Sequence, residues 1–268
     1  MSEFEKLKVV TWCEFLKHLR RRRLYAIIGV VIAAELAVLI GLPVLGEGYP
    51  DNVMVTAAML SIGPSLATIG AVFFAGDAIA GEFERKTGYI LFTNPVRRTT
   101  LVIGKYLACC AALILLVVLG YVIVCISLLG IYGHVPIETA KSFGLSLLFA
   151  GSVLSLTFFF SSISKGAMGA TVITLVFIMV ISGVLDGVLM MAGQPSWFLL
   201  SKAGDSVITV YGGYEALLAL LGGGGIPHGL PAGILEPPDI NLCIVAMAAY
   251  LVVCFVLSIW ITKRRQLA

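Results

Sequence analysis

The side chains best suited to polar chemistry lie in residues 81–98, GEFERKTGYILFTNPVRR, which carry six charges in eighteen positions. Glu82 and Glu84 stand just before Arg85 and Lys86, so acidic and basic groups are neighbours in this segment. Mixed charge at this density favours docking of a soluble partner, and a plain solvated helix end is the alternative. We therefore expect a docking surface here.

Patterns for catalysis and metal binding are missing from the sequence. The long apolar stretches contain no histidine, no Gly-x-Ser-x-Gly and no cluster of Asp residues, which an intramembrane enzyme would need. The three histidines are scattered, and the six cysteines form no Cys-x-x-Cys pair. We expect this chain to have no enzyme activity, no metal site and no bound cofactor of its own.

Glu35 is the one carboxylate placed deep inside an apolar stretch. It lies twelve residues after Arg23, which is about 18 Å along a helix. A carboxylate at that depth costs at least about 2.5 kcal/mol, so it is expected to face the interior of a helix bundle or a wet cavity. Two interpretations stay open. Glu35 is a substrate or cation contact in a pathway, or it forms an inter-helix hydrogen bond with Ser61, Ser65 or Thr68.

The elements that must position these residues are membrane helices. Hydrophobic residues make up 59% of the 268 positions, charged residues only 12%, and the mean hydropathy is +1.03. So little polar surface cannot cover a water-soluble globule of this size. Crossing a bilayer takes about 20 apolar residues. Six stretches are suitable, and they predict an all-α polytopic fold: residues 24–45, 53–75, 99–131, 142–162, 167–192 and 240–262.

Basic residues predict the orientation. Of the 18 Lys and Arg residues, all except Lys141 and Lys202 flank the same ends of the six stretches. Because Lys and Arg stay cytoplasmic during insertion, both termini are predicted to be cytoplasmic, in a multi-pass protein of the cytoplasmic membrane. A seventh span over residues 207–221 would place the basic carboxyl-terminal end outside. Residues 193–239 are therefore predicted to be an external or re-entrant segment.

Two segments outside the spans are predicted to be helical. Residues 1–23 combine an apolar stripe with basic residues, which favours an amphipathic helix in the inner headgroup layer; a positive-inside anchor is the alternative. Residues 76–92 contain few helix breakers, so the second span is predicted to continue as a helix beyond the bilayer. Asn94 and Pro95 end it and start the next helix, which makes residues 76–98 a cytoplasmic helical hairpin.

Residues 75–108, AGDAIAGEFERKTGYILFTNPVRRTTLVIGKYLA, resemble the signature region of ABC-2 type transporter permeases. In that family a Glu-x-Glu-x-Gly-Thr run precedes a Pro-Val-x-Arg step and a Gly-Lys pair at the foot of the third span. The matching positions here are Glu82, Glu84, Thr87, Pro95, Val96, Arg98, Gly104 and Lys105. Lys86 stands where the family usually has Gly. The amino-terminal segment, with Glu14, is similar to the amphipathic helix of the family.

The resemblance implies a single transmembrane permease domain, residues 1–268, whose hairpin and amino-terminal helix rest on a separate cytoplasmic ABC ATPase. The residues implied in this coupling are Glu14, Glu82, Glu84, Arg85, Lys86, Thr87, Pro95, Arg98 and Lys105. The sequence has no Gly-x-x-x-x-Gly-Lys-Ser/Thr motif, so ATP and Mg²⁺ are expected on the ATPase. Two ATPase copies and a second permease chain, identical or different, are also implied.

Export is the expected direction, and Glu35 is the candidate pathway residue. Membrane lipid is an expected partner and nucleic acid is not. The alternative function is a secondary transporter that works without an ATPase. Such a transporter would usually show a duplicated half, and the sequence has no convincing repeat.

Overall fold

The structure, a computed structural model, describes residues 2–45, 48–61, 63–84, 98–212 and 239–264. In these ranges the chain is all helical, with no β-strand. The helices are α1 (Glu3–Arg20), α2 (Arg22–Leu45), α3 (Val53–Leu60), α4 (Gly63–Ala75), α5 (Ala80–Glu84), α6 (Arg98–Tyr132), α7 (Ile137–Ile163), α8 (Ala167–Leu175), α9 (Ser182–Met191), α10 (Leu200–Thr209) and α11 (Ile240–Arg264), and a π-helical segment, Val176–Ile181, joins α8 to α9.

Five helical units of the described residues are long and apolar enough to cross a membrane. They are α2, α6, α7, α11 and the continuous unit from α8 through α9. Helices α2, α6, α7 and α11 correspond to the first, third, fourth and sixth predicted spans, and the unit from α8 through α9 corresponds to the fifth. The prediction of a multi-pass, all-α membrane protein is therefore confirmed, while the number of six spans and the side on which each end lies stay predictions.

The second predicted span is not one continuous helix, which corrects the sequence prediction. The chain forms α3 and α4 instead, and Ser61 ends α3. Pro64 is in the first turn of α4, where its missing N–H and fixed φ suit the start of a helix and not its interior. Each half is shorter than the about 20 residues that a crossing needs. The Gly63–Pro64 pair therefore divides the apolar run of residues 53–75, which was predicted to be one span because its composition is apolar throughout.

The amino-terminal segment is a helix, as predicted. Its start is a capping box, in which the Ser2 hydroxyl accepts from the Glu5 backbone N–H and the Glu5 carboxylate accepts from the Ser2 backbone N–H. One face of α1 packs along α6. Trp12 and other apolar side chains on the remaining face are exposed. Its position in a headgroup layer stays a prediction.

The described part of the predicted external segment contains a helix, α10. α10 packs against α7 and α11, and Leu200, Ala203 and Val207 are buried. The Ser142 hydroxyl on α7 donates to the Val207 carbonyl oxygen at 3.0 Å. α10 thus belongs to the bundle, and residues 213–238 of the predicted segment lie outside the described residues.

Helix α7 is the centre of the bundle and is rich in buried hydroxyl groups. Ser152, Ser155 and Thr157 each donate to a carbonyl four residues earlier in the same helix. Ser142 and Ser146 instead bond to the Tyr121 hydroxyl of α6, each at 2.8 Å, and Ser155 also bonds to the Tyr106 hydroxyl at 2.8 Å. Because nearly all of these hydroxyls have a partner, Thr139 being an exception, α7 can be polar in composition and still pack inside an apolar bundle.

Candidate functional site

A cavity of about 290 Å³ lies at one end of the bundle, between α1, the α4–α5 junction and α6. We call this end the charged end. The cavity is lined by Glu14, Lys17, His18, Arg21, Phe74, Asp77, Ala78, Gly81, Glu82, Lys105 and Cys109. The sequence positions are widely separated, so the cavity exists only because three helical segments meet here.

Lys105 holds the three segments together. Its ammonium lies 2.6 Å from Oε1 of Glu82 on α5 and 3.4 Å from Oε1 of Glu14 on α1. The Lys105 side chain is only 10% exposed, so water screens these two pairs weakly. One buried cation on α6 therefore joins the amino-terminal helix to the short helix α5. We call Glu14, Glu82 and Lys105 the ionic brace.

Glu14 also receives a second cation, since Lys17 Nζ lies 2.6 Å from the same carboxylate oxygen. Burial by itself raises the pKa of Glu14, but the charges of Lys105 and Lys17 outweigh that effect and hold the pKa below its ordinary value of 4.5. Glu14 is therefore a carboxylate at neutral pH. The brace is an arrangement of full charges.

Asp77 ties the beginning of α2 to the turn that follows α4. Its Oδ2 accepts from Arg21 at 2.8 Å and from Arg23 at 3.2 Å. The carboxylate is 7% exposed, while both arginines reach it from a more exposed position. The two arginines therefore satisfy a nearly buried acid and fix the chain between α1 and α2 against the turn.

His18 lines the cavity as a neutral ring. Its Nε2 lies 3.4 Å from Sγ of Cys109, and its imidazole meets the Phe74 ring edge to face at 5.6 Å between centroids. Burial, followed by the charge of Arg21, lowers the pKa of His18 below its ordinary value of 6.5. A neutral imidazole packs against an aromatic ring and a thiol at little cost.

Ser161 on α7 shapes the turn between α4 and α5. Its hydroxyl donates to the Gly76 carbonyl at 2.9 Å and accepts from the backbone N–H groups of Ile79 and Ala80 at 3.2 and 3.1 Å. Gly76 has no room for a Cβ, because Thr171 and the Val72 carbonyl already occupy that position. One side chain thus fixes where α5 starts and which way it leaves the bundle.

Two further contacts hold the charged end together. Glu84 Oε2 accepts from the Ala167 backbone N–H at 2.8 Å, at the start of α8, where helix N–H groups favour an anion. At Gly104 a Cβ would lie 2.7 Å from Cγ1 of Val10, so the absence of a side chain lets α1 approach α6 closely. The packing of α1 on α6 depends on this glycine.

The structure brings together three of the predicted coupling residues, Glu14, Glu82 and Lys105. Glu84 caps α8 instead. Arg98 is the first residue of α6, and its side chain is not described. Four of the predicted residues lie outside the described ranges: Arg85, Lys86, Thr87 and Pro95.

The predicted hairpin, residues 76–98, is only partly described. The prediction that the second span continues unbroken into residues 76–92 is wrong at residues 76–79, which form a turn. Gly76 and the hydrogen bonds from Ser161 are the reason, since they favour a turn over a further helical stretch.

Glu35 is buried in the bundle, with 1% of its surface exposed. Its Oε2 receives no hydrogen bond from any described residue. The Ser61 hydroxyl, one of the predicted partners, is bonded to the Tyr211 hydroxyl at 2.9 Å. The side chain of Ser65 is not described. No hydrogen bond from Ser61 to Glu35 is seen in the structure, and the interpretations with Ser65 and Thr68 stay predictions.

Comparison with known proteins gives one family. A family model described as "ABC-2 family transporter protein" matches residues 10–181, which is more than half of the chain. The matched range contains every residue that lines the cavity, together with Ser161. Among curated proteins, none matches the chain.

Proposed function

We propose that this chain, which belongs to the ABC-2 transporter family, is driven by a separate cytoplasmic ABC ATPase and exports its substrate. The family and the apolar helices make the chain a membrane permease of an ABC transporter. Members of the family are transport subunits and generally not enzymes themselves. Coupling to the ATPase and the direction of transport are our proposals.

The ionic brace is the observation that supports coupling most strongly. A force applied to α5 or α1 from outside the bundle must reach the membrane helices to be useful. Lys105 is on α6, a 35-residue helix long enough to cross a membrane, and both of its carboxylate partners are on the segments proposed to meet the ATPase. The brace therefore makes α1, α5 and α6 move as one body.

This arrangement gives the predicted coupling residues two different roles. Glu14, Glu82 and Lys105 act inside the permease, because their charged groups are satisfied by one another. The direct docking surface is then formed by the segment after Glu84, which includes Arg85, Lys86, Thr87, Pro95 and Arg98. The permease would use one set of charges to bind the ATPase and another to transmit its motion.

The proposed cycle requires a symmetric assembly. Two ATPase copies bind ATP and Mg²⁺ between them, and two permease chains, identical or different, pair about a two-fold axis. When ATP draws the ATPases together, the braced segments rotate as rigid bodies and rock the membrane helices, so that a central pathway opens to the outside. Hydrolysis resets the cycle. Both termini of the single domain, residues 1–268, then lie in the cytoplasm.

The opposite end of the bundle is the proposed outer gate. α10 packs between α7 and α11 at that end, and Tyr211 just after it bonds to Ser61 at the break between α3 and α4. The hydroxyl contacts at this end each contribute only about 1 kcal/mol net, so they can be released at modest cost. Residues 193–239 would thus close the pathway, and Glu35 is the residue we propose to face it during opening.

Purification from native membranes in mild detergent tests the proposal. We expect a soluble subunit with a Gly-x-x-x-x-Gly-Lys-Ser/Thr motif to accompany the tagged permease in near-stoichiometric amount. A preparation without any such subunit, even after crosslinking through residues 81–98, would favour the ATPase-independent transporter instead.

A further inference from the structure

Among the described residues, Glu35 has no charged neighbour that could balance a carboxylate. It is the only side chain of α2 after Tyr25 that carries polar atoms. One turn earlier, Val31 belongs to the main apolar core, and about one turn later Val38 and Leu39 pack against a second apolar cluster around Leu128. The carboxyl group is therefore enclosed where two apolar clusters meet.

In the described part of the chain, the main elements packed against α2 do not supply a counterion. These elements are α1, α3, α4 and α6, and α3 and α4 carry no acidic, basic or histidine side chain. On α1 the residues nearest to α2 are at the charged end, where Glu14 and His18 line the cavity. On α6, Lys105 is occupied by the ionic brace, and Arg98 is the first residue of that helix, at the same end.

The remaining titratable groups of α6 are phenols and thiols, which are neutral near pH 7. They are Tyr106, Cys109, Cys110, Tyr121, Cys125 and Tyr132. At the start of α2, Arg23 is bonded to Asp77, and Arg22 is thirteen positions before Glu35. Among the described residues, no ion pair reaches Glu35.

We propose that Glu35 is a proton-binding site, occupied by a proton in the conformation described here. An ionised carboxylate enclosed in apolar surroundings without a counterion is far more costly than a neutral acid, which has only polar atoms to desolvate. Taking one proton from water converts the carboxylate to a carboxylic acid and removes that charge. The proton stays until a rearrangement of α2 lets water or a cation reach the group.

The proposal is independent of transport and of any ATPase. It concerns the protonation of one side chain in the resting permease. Among the described residues Oε2 has no hydrogen-bond partner, and an unpartnered neutral acid costs less in such surroundings than an unpartnered carboxylate.

Infrared spectroscopy of the permease in lipid nanodiscs at neutral pH tests the proposal directly. A protonated carboxylic acid has a carbonyl stretch above the amide band that shifts in D₂O, and we expect this band in the wild type and its loss in Glu35→Gln. The matched control is Asp186→Asn, because Asp186 is a half-exposed carboxylate on α9, and this variant should keep the band. Identical spectra for wild type and Glu35→Gln would overturn the proposal.

A chemical measurement on the unmodified protein covers the case in which a variant fails to fold. Dicyclohexylcarbodiimide, a hydrophobic reagent, attacks protonated carboxyl groups inside membranes. We expect mass spectrometry to find its adduct on the peptide containing Glu35, with less adduct as the pH of the reaction is raised. No adduct at Glu35, under conditions in which other carboxyls of the chain react, would show that the group is ionised or paired and would overturn the proposal.

Discussion

The ammonium of Lys105 lies 2.6 Å from a carboxylate oxygen of Glu82, and this pair fixes the short helix α5 to the foot of a membrane helix. The same ammonium reaches Glu14 at 3.4 Å, so the amino-terminal helix is held by the same group. A single buried cation thus connects three segments that are far apart in the sequence.

Replacing Lys105 by Met should destabilise the permease strongly. The change leaves Glu14 and Glu82 close together and without their common cation, and breaking a buried pair by removing one partner costs about 3 kcal/mol or more. The measurement is the free energy of unfolding from SDS titration in mixed micelles.

Lys17→Met is the matched control for Lys105→Met. Lys17 contacts the same Glu14 oxygen, but its own side chain is 54% exposed, so its loss should cost about 1 kcal/mol or less. Equal losses of stability in the two variants would show that burial of Lys105 is not what makes the brace strong.

Gly104→Ala should push α1 away from α6, and a second change should undo the effect. The new Cβ would lie 2.7 Å from a methyl group of Val10, an overlap that costs about 1–3 kcal/mol. Val10→Ala removes that methyl group, so the double variant should recover most of the stability lost by Gly104→Ala. A double-mutant cycle of unfolding free energies measures the recovery.

Gly76→Ala should also destabilise the permease, but unlike Gly104→Ala its loss of stability should not be recovered by changing a neighbouring side chain. A Cβ at Gly76 meets Thr171 and also lies 2.7 Å from the Val72 carbonyl oxygen, which is backbone. Thr171→Ser removes the first contact and leaves the second. Full recovery of stability in the pair Gly76→Ala with Thr171→Ser would contradict the tight packing of this turn.

Ser161→Ala should loosen the turn between α4 and α5. The variant deprives the Gly76 carbonyl and the N–H groups of Ile79 and Ala80 of their side-chain partner, at a cost of about 1–3 kcal/mol. Faster hydrogen–deuterium exchange confined to residues 76–84 would confirm the role of this hydroxyl.

Ser152→Ala is the control for Ser161→Ala. Ser152 is also buried on α7, but its hydroxyl donates only to carbonyls of its own helix, those of Leu148 and Phe149. Those carbonyls remain in the helix backbone, so exchange in residues 76–84 should stay at the wild-type rate. Equal effects of the two variants would mean that α7 is merely sensitive to the loss of any serine.

Acid should weaken the charged end in two steps. The pKa of His18 is lowered from 6.5 in the folded protein, so neutral His18 contributes fully to the free energy of unfolding above pH 6.5. This contribution is lost as the pH falls from 6.5 through the pKa of His18 in the folded protein. The pKa of Glu14 is lowered from 4.5, so its contribution is lost at still lower pH. Melting temperature measured against pH should therefore fall in both ranges.

His18→Gln separates the two steps. An amide does not titrate, so the loss of stability just below pH 6.5 should disappear while the loss at lower pH remains. The groups that act on His18 are Arg21, Asp77, Glu14 and Lys105, and the variant keeps them all. A melting profile of His18→Gln that matches the wild type would show that another group causes the first step.

The sequence predicts the membrane helices well because their signal is local. An apolar run of about 20 residues is visible in the chain itself, and five of the six predicted runs are helices of that kind. The second run is not one continuous helix, because Gly63 and Pro64 interrupt it. Both residues are visible in the sequence, but the hydropathy of the run does not show the break, because both halves are apolar.

The candidate site was predictable only in part. Glu14, Glu82 and Lys105 were named through family resemblance, and nothing in their spacing shows that they meet. The pairs that hold Asp77 to Arg21 and Arg23 span more than fifty residues, and Ser161 reaches a turn more than eighty residues away. Contacts over such separations depend on how the helices pack, which one sequence does not reveal.

Transmission of motion through the ionic brace is tested by comparing Glu82→Lys with Lys141→Glu in the permease purified with its ATPase. ATP and vanadate are added, and hydrogen–deuterium exchange is followed in α10 and in the first turns of α11, at the end of the bundle away from the brace. We expect the Glu82→Lys complex to keep ATP hydrolysis but to lose the nucleotide-dependent change in hydrogen–deuterium exchange. Lys141→Glu, a reversal of an exposed charge at the start of α7, should keep both. A full nucleotide-dependent change in the Glu82→Lys complex would contradict the claim that the brace transmits motion to the membrane helices.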